Sequence, residues 1–567
     1  MGRGWLTQVA WVLIASVWAG WGCADDPVGP ALVLGGGDGG TGCSEGQTQC
    51  LGEVEQVCRG GRFVESPTDG CRTGGGGATL CFQAAAARSY QGCEYWPVDL
   101  DNAVEVLGPQ TAGRCPDGGE PISLEACLAR GATAGACDYR GSCPGGFACD
   151  TGPVCALDAQ HSPFAIVVAN PQAMAVEVVL EDATGQRHAQ QVAPGEVASL
   201  FPQALGFVDH SLNHSGISAH AYRLTASAPI VAYQFNPLDN VDVFSNDGSL
   251  LIPQHAYDGQ YLALTLPTLT RRPDTNDYNG YLAIVSSAES TTVEVTPSCA
   301  VRAGDRVEAL QPGRTYTFML RQFEVLNLEA VADGDLTGTR VSSTGGTPFG
   351  MFVGHEATVL PTEANSCCAD HIEEQLFPIS TWGANFAVGR SQRRKREADQ
   401  IRILAHRDNT RIEFDPPPGQ GRCPVLQARQ FCDVFIEGDT RITASEPVLV
   451  GHLLMSTDGA EGDPALAFAV PVEQFRDSYD FLVPQQYATQ YVSVVARAGA
   501  SVSLDGADIS GRLRPFGELY AGARVEVRPG QRRIECPSGC GVLVYGYDQA
   551  VSYLFAAGLD LERITVP

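Results

Sequence analysis

One pattern recurs four times along the chain and sets what it can fold into. "FAIVVANPQAMAVEVVL" (164–180), "YLAIVSSAESTTVEVTP" (281–297), "IRILAHRDNTRIEFDP" (401–416) and "YVSVVARAGASVSLDG" (491–506) each run apolar strand, polar turn, second strand. Strand side chains alternate between two faces, so period-two apolar spacing across a short polar turn is a hairpin signature. "VAPGE", "LQPGR" and "VRPGQ" follow the first, second and fourth copies and supply turn residues. A second motif comes after each hairpin: "YRLTASAPIVAYQFNP" (222–237), "TRVSSTGGTPFGMFVGH" (339–355), "TRITASEPVLVGHLLMS" (440–456) and "RRIECPSGCGVLVYGYD" (532–548). It reads as strand, tight turn, apolar strand.

These repeats predict an all-β fold of four tandem sandwich-like units, near 162–255, 256–380, 381–485 and 486–567. Each unit is roughly 90–120 residues, the size of a sandwich of seven to nine strands. Propeller blades run nearer 40–50 residues, so a closed ring of outsized units is the alternative. With 64 glycines and 35 prolines, the composition suits short strands and many turns. Only "VPVEQFRD" (470–477) reads as a helical turn.

The N-terminus gives an address. Arg3, an apolar run to Trp18 and small residues make residues 1–22 a signal peptide. Cys23 directly after the run is a lipidation position, the alternative being cleavage near Ala24 and full secretion. Residues 23–42 form a glycine-rich tether, and Cys43, Cys50, Cys58 and Cys71 a small stapled module over 43–71. A linker (72–78) leads to the β domain (79–567), with a Cys-rich insertion over 103–160.

Twenty cysteines imply an oxidising compartment. Cys81, Cys93, Cys115, Cys127, Cys137, Cys143, Cys149 and Cys155 read as a second stapled segment. Cys423 and Cys432, and Cys536 and Cys540, are close enough to close hairpin ends. Cys299 can pair with Cys367 or Cys368, leaving one sulfur over. The formal charge of −28 excludes nucleic acid and anionic membrane surfaces as partners.

Three stretches carry candidate chemistry. "SCCADH" (366–371) groups Cys367, Cys368, Asp370 and His371 as a disulfide anchor, a metal site or a free thiol. There, His371, Glu373 and Glu374 read as a polar turn and an exposed face. Among the acidic loops (Asp333 and Asp335; Asp458, Glu461 and Asp463), Asp239, Asp242 and Asp247 make the best calcium loop. Arg390, Arg393, Arg394, Lys395 and Arg396 form a basic loop suited to an acidic partner, a glycan or proteolytic nicking. No GxSxG or HExxH occurs, so the chain is read as a non-enzyme with no assigned metal, calcium being the one cofactor in view. The "VGH" pairs ending in His355 and His452 belong to the repeat.

"GCEYWPVDLDN" (92–102), "SPFAIVVANP" (162–171), "FNPLDNVDVFSNDGSLLIP" (235–253), "CCADHIEEQLFPISTWG" (367–383) and "VSYLFAAGLDL" (551–561) resemble the IgG Fc-binding protein N-terminal domain family. More closely they resemble its branch in bacterial surface lipoproteins. The resemblance implies an extracellular binding or adhesion module for a protein or glycan, touching membrane only through an N-terminal lipid. It places the chain in the cell envelope, at the outer membrane or surface, or else secreted. No residue-level Fc contact carries over. A self-assembling envelope protein is the alternative, and a metal-dependent hydrolase near Cys368 and His371 the third reading.

Overall fold

The computed structural model describes residues 48–51, 54–59, 62–65 and 76–564, except 110–114, 116–120, 130–131, 138–139, 240–242, 244, 271–277, 363–368 and 458–460. The signal segment, Cys23, the tether, Cys43, Cys71, Cys367 and Cys368 lie outside these residues. In the small N-terminal module, Thr48–Leu51, Val54–Arg59 and Arg62–Glu65 pair in sequence order.

In the β domain, each repeat is built on one long strand that serves two sheets. Arg223–Asn236 pairs through its leading half with Gly92–Tyr95 and Val176–Glu181, and through its trailing half with Ala165–Ala169 and Asp247–Leu250. Thr440–Leu453 does the same with Gly383–Val388 and Ile412–Asp415, then with Asp399–Ala405 and Leu466–Phe468. Gly530–Asp548 pairs with Arg476–Val483 and Ser503–Leu504, then with Thr489–Arg497 and Val551–Ala556. In the second unit the long strand is split into Arg340–Ser343 and Gly350–Thr358, with the same partners in the same order. All these pairings are antiparallel.

The second sequence motif is therefore one strand crossing between sheets, where a tight turn was expected. Pro229, Pro348, Pro447 and Pro537 sit at the crossings. Proline has no N–H for a ladder, so it marks where a strand leaves one sheet for the next. Only in the second unit does the chain leave the strand altogether. There Gly345 and Gly346 adopt φ of 76° and 75°, a backbone region that favours glycine.

Each unit ends on a short strand: Asp247–Leu250, Asp370–Gln375, Leu466–Phe468 and Val551–Ala556. Every residue of these four is buried. Each packs against the next unit's, and the fourth against the first, so the units close into a ring around four axial strands. Sandwich-like units and a closed ring thus describe the same molecule. Arg476–Val483, expected in the third unit, opens the fourth, because alternation specifies a strand's buried face but not its edge partner.

The ring is clasped where the domain's two ends meet. Leu561 N donates to Arg88 O (3.0 Å), Arg88 Nε donates to Leu561 O (2.5 Å), and Ser89 bridges Asp560. Just before it, the helix Gly76–Ala86 lies partly in the expected linker and packs on Arg223–Asn236. Its alanine content favours helix. Gly77 permits the close approach: a Cβ there would stand 2.0 Å from Ser227 O. Cys81–Cys93 staples the helix to the first strand of the ring.

Between Gly92–Tyr95 and Ala165–Ala169 the chain makes a separate four-stranded sheet of Val104–Pro109, Ala148–Asp158, Ile122–Ala129 and Ala132–Ala136. Its strand Ile122–Ala129 has two buried residues, Ala126 and Cys127, so apolar burial contributes little there. Cys115–Cys155, Cys127–Cys143 and Cys137–Cys149 hold it instead, each bridge contributing about 2–4 kcal/mol.

Candidate functional site

Each axial strand has one edge paired inside its own unit, so the amides on its other edge need acceptors. Side chains of neighbouring units supply them. Asp247 Oδ1 accepts from the amides of Gly248 (2.8 Å) and Leu554 (3.3 Å), and Oδ2 from Leu466 (3.1 Å) and Glu373 (3.4 Å). One carboxylate therefore binds a strand from each of the four units. Asp370 accepts from the amides of Asn246 (2.7 Å) and Ser552 (3.4 Å). Ser249 Oγ accepts from Gln375 N (2.9 Å), and Gln375 Oε1 from Ile252 N (2.6 Å). Burial raises the Asp247 carboxyl well above the usual carboxylate range, and the four amides offset part of that rise. Every donor points an N–H at its oxygens, the environment of an ionised acceptor.

This geometry corrects two expectations. Asp247 is spent on amides at the ring axis and is no calcium ligand; Asp239 is half-buried and Asp242 lies outside the described residues. Residues 370–375 form a wholly buried strand, where a polar turn and an exposed face were expected. Burial, with neighbouring His355, pushes the His371 imidazole down to about 3, so it is neutral at neutral pH. Its nearest carboxylate is Glu373 at 3.5 Å. Burial pushes the Glu373 and Glu374 carboxyls up. Cys367 and Cys368 lie outside the described residues, and with them the three readings of that pair.

The basic loop is a strap tied to the ring. Arg390 is 4 % exposed and bonds Ser391 O (2.7 Å) and Glu397 O. Arg394 Nη2 donates to Met455 O (2.7 Å), its guanidinium lies over the Tyr547 ring (4.5 Å), and Lys395 Nζ donates to Thr457 O (2.8 Å). Arg393 Nη2 donates to Glu437 O (3.1 Å), and Arg393, Lys395 and Arg396 are exposed. As a docking loop it is reduced accordingly, since four of its five cations bond backbone carbonyls of the fold. Among the acidic loops, Asp335 pairs with buried Arg402 (2.7 Å), which also takes Asp433 (2.8 Å) and so joins the second unit to the third. Asp333 is exposed, Glu461 is exposed and Asp463 is buried; Asp458 lies outside the described residues.

The histidines serve packing. His355 Nε2 meets Pro267 O at 3.0 Å. His452 Nε2 meets Asp399 Oδ2 at 2.8 Å, and Ser391 Oγ donates to Asp399 Oδ1 at 2.7 Å. In a nucleophilic triad the hydroxyl bonds the imidazole and the carboxylate stands behind it. Here the carboxylate stands between, with Ser391, Asp399 and His452 all buried. Cys423 bridges Cys432 and Cys536 bridges Cys540. Cys299 is unbridged, and burial pushes its thiol up to about 12, the opposite of an activated nucleophile.

One further cluster has no local signature in the sequence. Asp101, Glu329 and Glu356 are all buried and bring one oxygen each within 4.8 Å of one another. The strand register assembles them: Glu329 pairs with Tyr281, and Glu356 N donates to Asn279 O, on either side of Gly280–Val285. Asp101 comes from the "VDLDN" segment of the first unit. No local spacing could have revealed residues this far apart in sequence.

A repeated all-β ring whose interior polar groups hold its units together defines a scaffold that presents loops. Residues 247–546, starting at the axial aspartate and ending in the last long strand, match the family described as IgGFc binding protein. The match takes in more than half of the chain, and the chain belongs to that family. It is 23 % identical over 319 residues to the human IgGFc-binding protein, an alignment covering 54 % of this chain and 6 % of that protein. The chain thus spans a small part of the length of that relative. Among the described residues, no helix is long and apolar enough to cross a membrane.

Proposed function

We propose that this chain is an extracellular binding module that holds a protein or glycan partner on the rim loops of its β ring. Its family membership carries the reading, the human relative being named for binding IgG Fc. The stapled insertion and the burial of the axial strands support it, because they leave loops as the surface free to vary. A lipid at Cys23 would carry the module on a bacterial cell envelope. The test is biolayer interferometry of the oxidised chain against human IgG Fc, Fab, matrix proteins and a glycan array. Saturable binding to one class supports the module. A folded chain that binds none of them overturns it. Mass spectrometry of the mature N-terminus, with Cys23→Ser as control, tests the anchor.

A further inference from the structure

We infer that Asp101, Glu329 and Glu356, with the amide oxygens of Asn279 and Asn327, form a buried divalent-cation site of the calcium class. The site joins the lead-in segment of the first unit to the second unit. Three carboxylates sit within 4.8 Å of one another, and their exposures are 0 %, 1 % and 8 %. The donors around them are few. Asp101 Oδ2 accepts from His214 N and Asn327 Nδ2 (both 3.1 Å), and Glu356 Oε2 accepts from Asn279 N (2.5 Å) and Nδ2 (3.2 Å).

Asp101 Oδ1, Asn279 Oδ1 and Asn327 Oδ1 accept from no N–H, Glu329 faces His214, and the Asp101 and Glu329 carboxyls lie within hydrogen-bonding reach of each other. The two amide oxygens are buried and ride on side chains whose nitrogens already bond the carboxylates. Buried acceptors left without donors, converging from three segments, are what a cation satisfies.

The donor set chooses the metal. It is all oxygen, mixing carboxylates with amide carbonyls, which suits a hard cation. The one imidazole, His214, has Nδ1 3.5 Å from Glu329 Oε1, outside a metal–nitrogen bond to a shared ion but near enough to balance charge. With Arg302 the fixed cation acting on Glu329, three ionised carboxylates still carry net negative charge, which a divalent ion balances. The competing state is a set of carboxyls sharing protons, and the experiment separates the two.

The oxidised chain is stripped with EDTA, dialysed and titrated with calcium by calorimetry. Terbium luminescence is followed in parallel, with Tyr281, whose ring stands among the same carboxylates, as the sensitiser. One site is expected, with a Kd tighter than about 1 mM and an unfolding midpoint raised by about 5 °C in calcium. Glu356→Gln, and Asp101→Asn should the first variant fail to fold, should weaken binding at least about tenfold. Absence of calorimetric heat, terbium emission and midpoint shift in the stripped wild type overturns the site and leaves shared protons. Undiminished calcium affinity in a folded variant overturns it too, since the ion then binds elsewhere.

Discussion

Asp247→Ala tests whether the ring closes on its axis. The substitution leaves the amides of Gly248, Glu373, Leu466 and Leu554 without an acceptor in a buried setting. An orphaned buried amide costs about 1–3 kcal/mol. The bonds at 2.8 and 3.1 Å carry most of this, and those at 3.3 and 3.4 Å less. Removing the carboxylate also removes the penalty of burying its charge, which offsets part of the sum. The expected net loss is about 3–5 kcal/mol, as for breaking a buried charged contact. Asp247→Asn keeps one oxygen but turns an NH2 toward two of the amides, so it should also destabilise, by less. Guanidinium unfolding of the oxidised protein, followed by fluorescence, reads both variants. If Asp247→Ala unfolds within experimental error of the wild type, the amides find other acceptors and the axial account is wrong.

Arg402→Ala should lose about 1.5–3 kcal/mol, because it removes the buried cation shared by the half-buried carboxylates of Asp335 and Asp433; denaturant midpoints check this. Burial pushes the Asp399 carboxyl up, but the His452 hydrogen bond and charge, with Arg390, more than offset it and hold it at about 2. A depressed carboxyl stabilises above its unfolded value, and that contribution drains as pH falls toward the folded one. The stability gap between wild type and Asp399→Asn should therefore shrink by about 2 kcal/mol between pH 5 and pH 2, and a gap constant with pH refutes the assignment. Replacing Cys81 and Cys93 by serine opens a loop of sequence separation 12, a loss of about 2–4 kcal/mol, and should expose Arg88 to trypsin, read by peptide mapping.

Much of the architecture was legible because hairpin alternation repeats. Val176, Val178 and Leu180 are buried while Glu177 is exposed, as the period of two requires. Gly195, Gly313 and Gly530 in the proline–glycine turns adopt φ of 72°, 75° and 109°. Alternation fails for "DHIEEQ", a polar segment that is wholly buried. Asp370 and Gln375 accept amides from neighbouring units, and hydropathy counts such side chains as surface. The basic strap misleads for a related reason: Arg390, Arg394 and Lys395 bond backbone carbonyls that only the folded ring brings near. The Asp101, Glu329 and Glu356 cluster depends on register between distant strands, which no single stretch of sequence encodes.

Cys81–Cys93 also decides how the ring meets mechanical load. Tension arriving along the chain from upstream of Cys81 crosses the bridge to Cys93, and residues 82–92 carry none of it. The clasp of Arg88 and Ser89 with Leu561 and Asp560 lies inside that shielded segment. Without the bridge the same pull would peel the clasp one hydrogen bond at a time, because its two segments run antiparallel. With it, the load passes from the first turns of the helix Gly76–Ala86 straight to Gly92–Tyr95, laid along the long strand Arg223–Asn236. A bond of twelve-residue span thus acts as a strain relief, keeping a pull from the N-terminal side from opening the ring at its join.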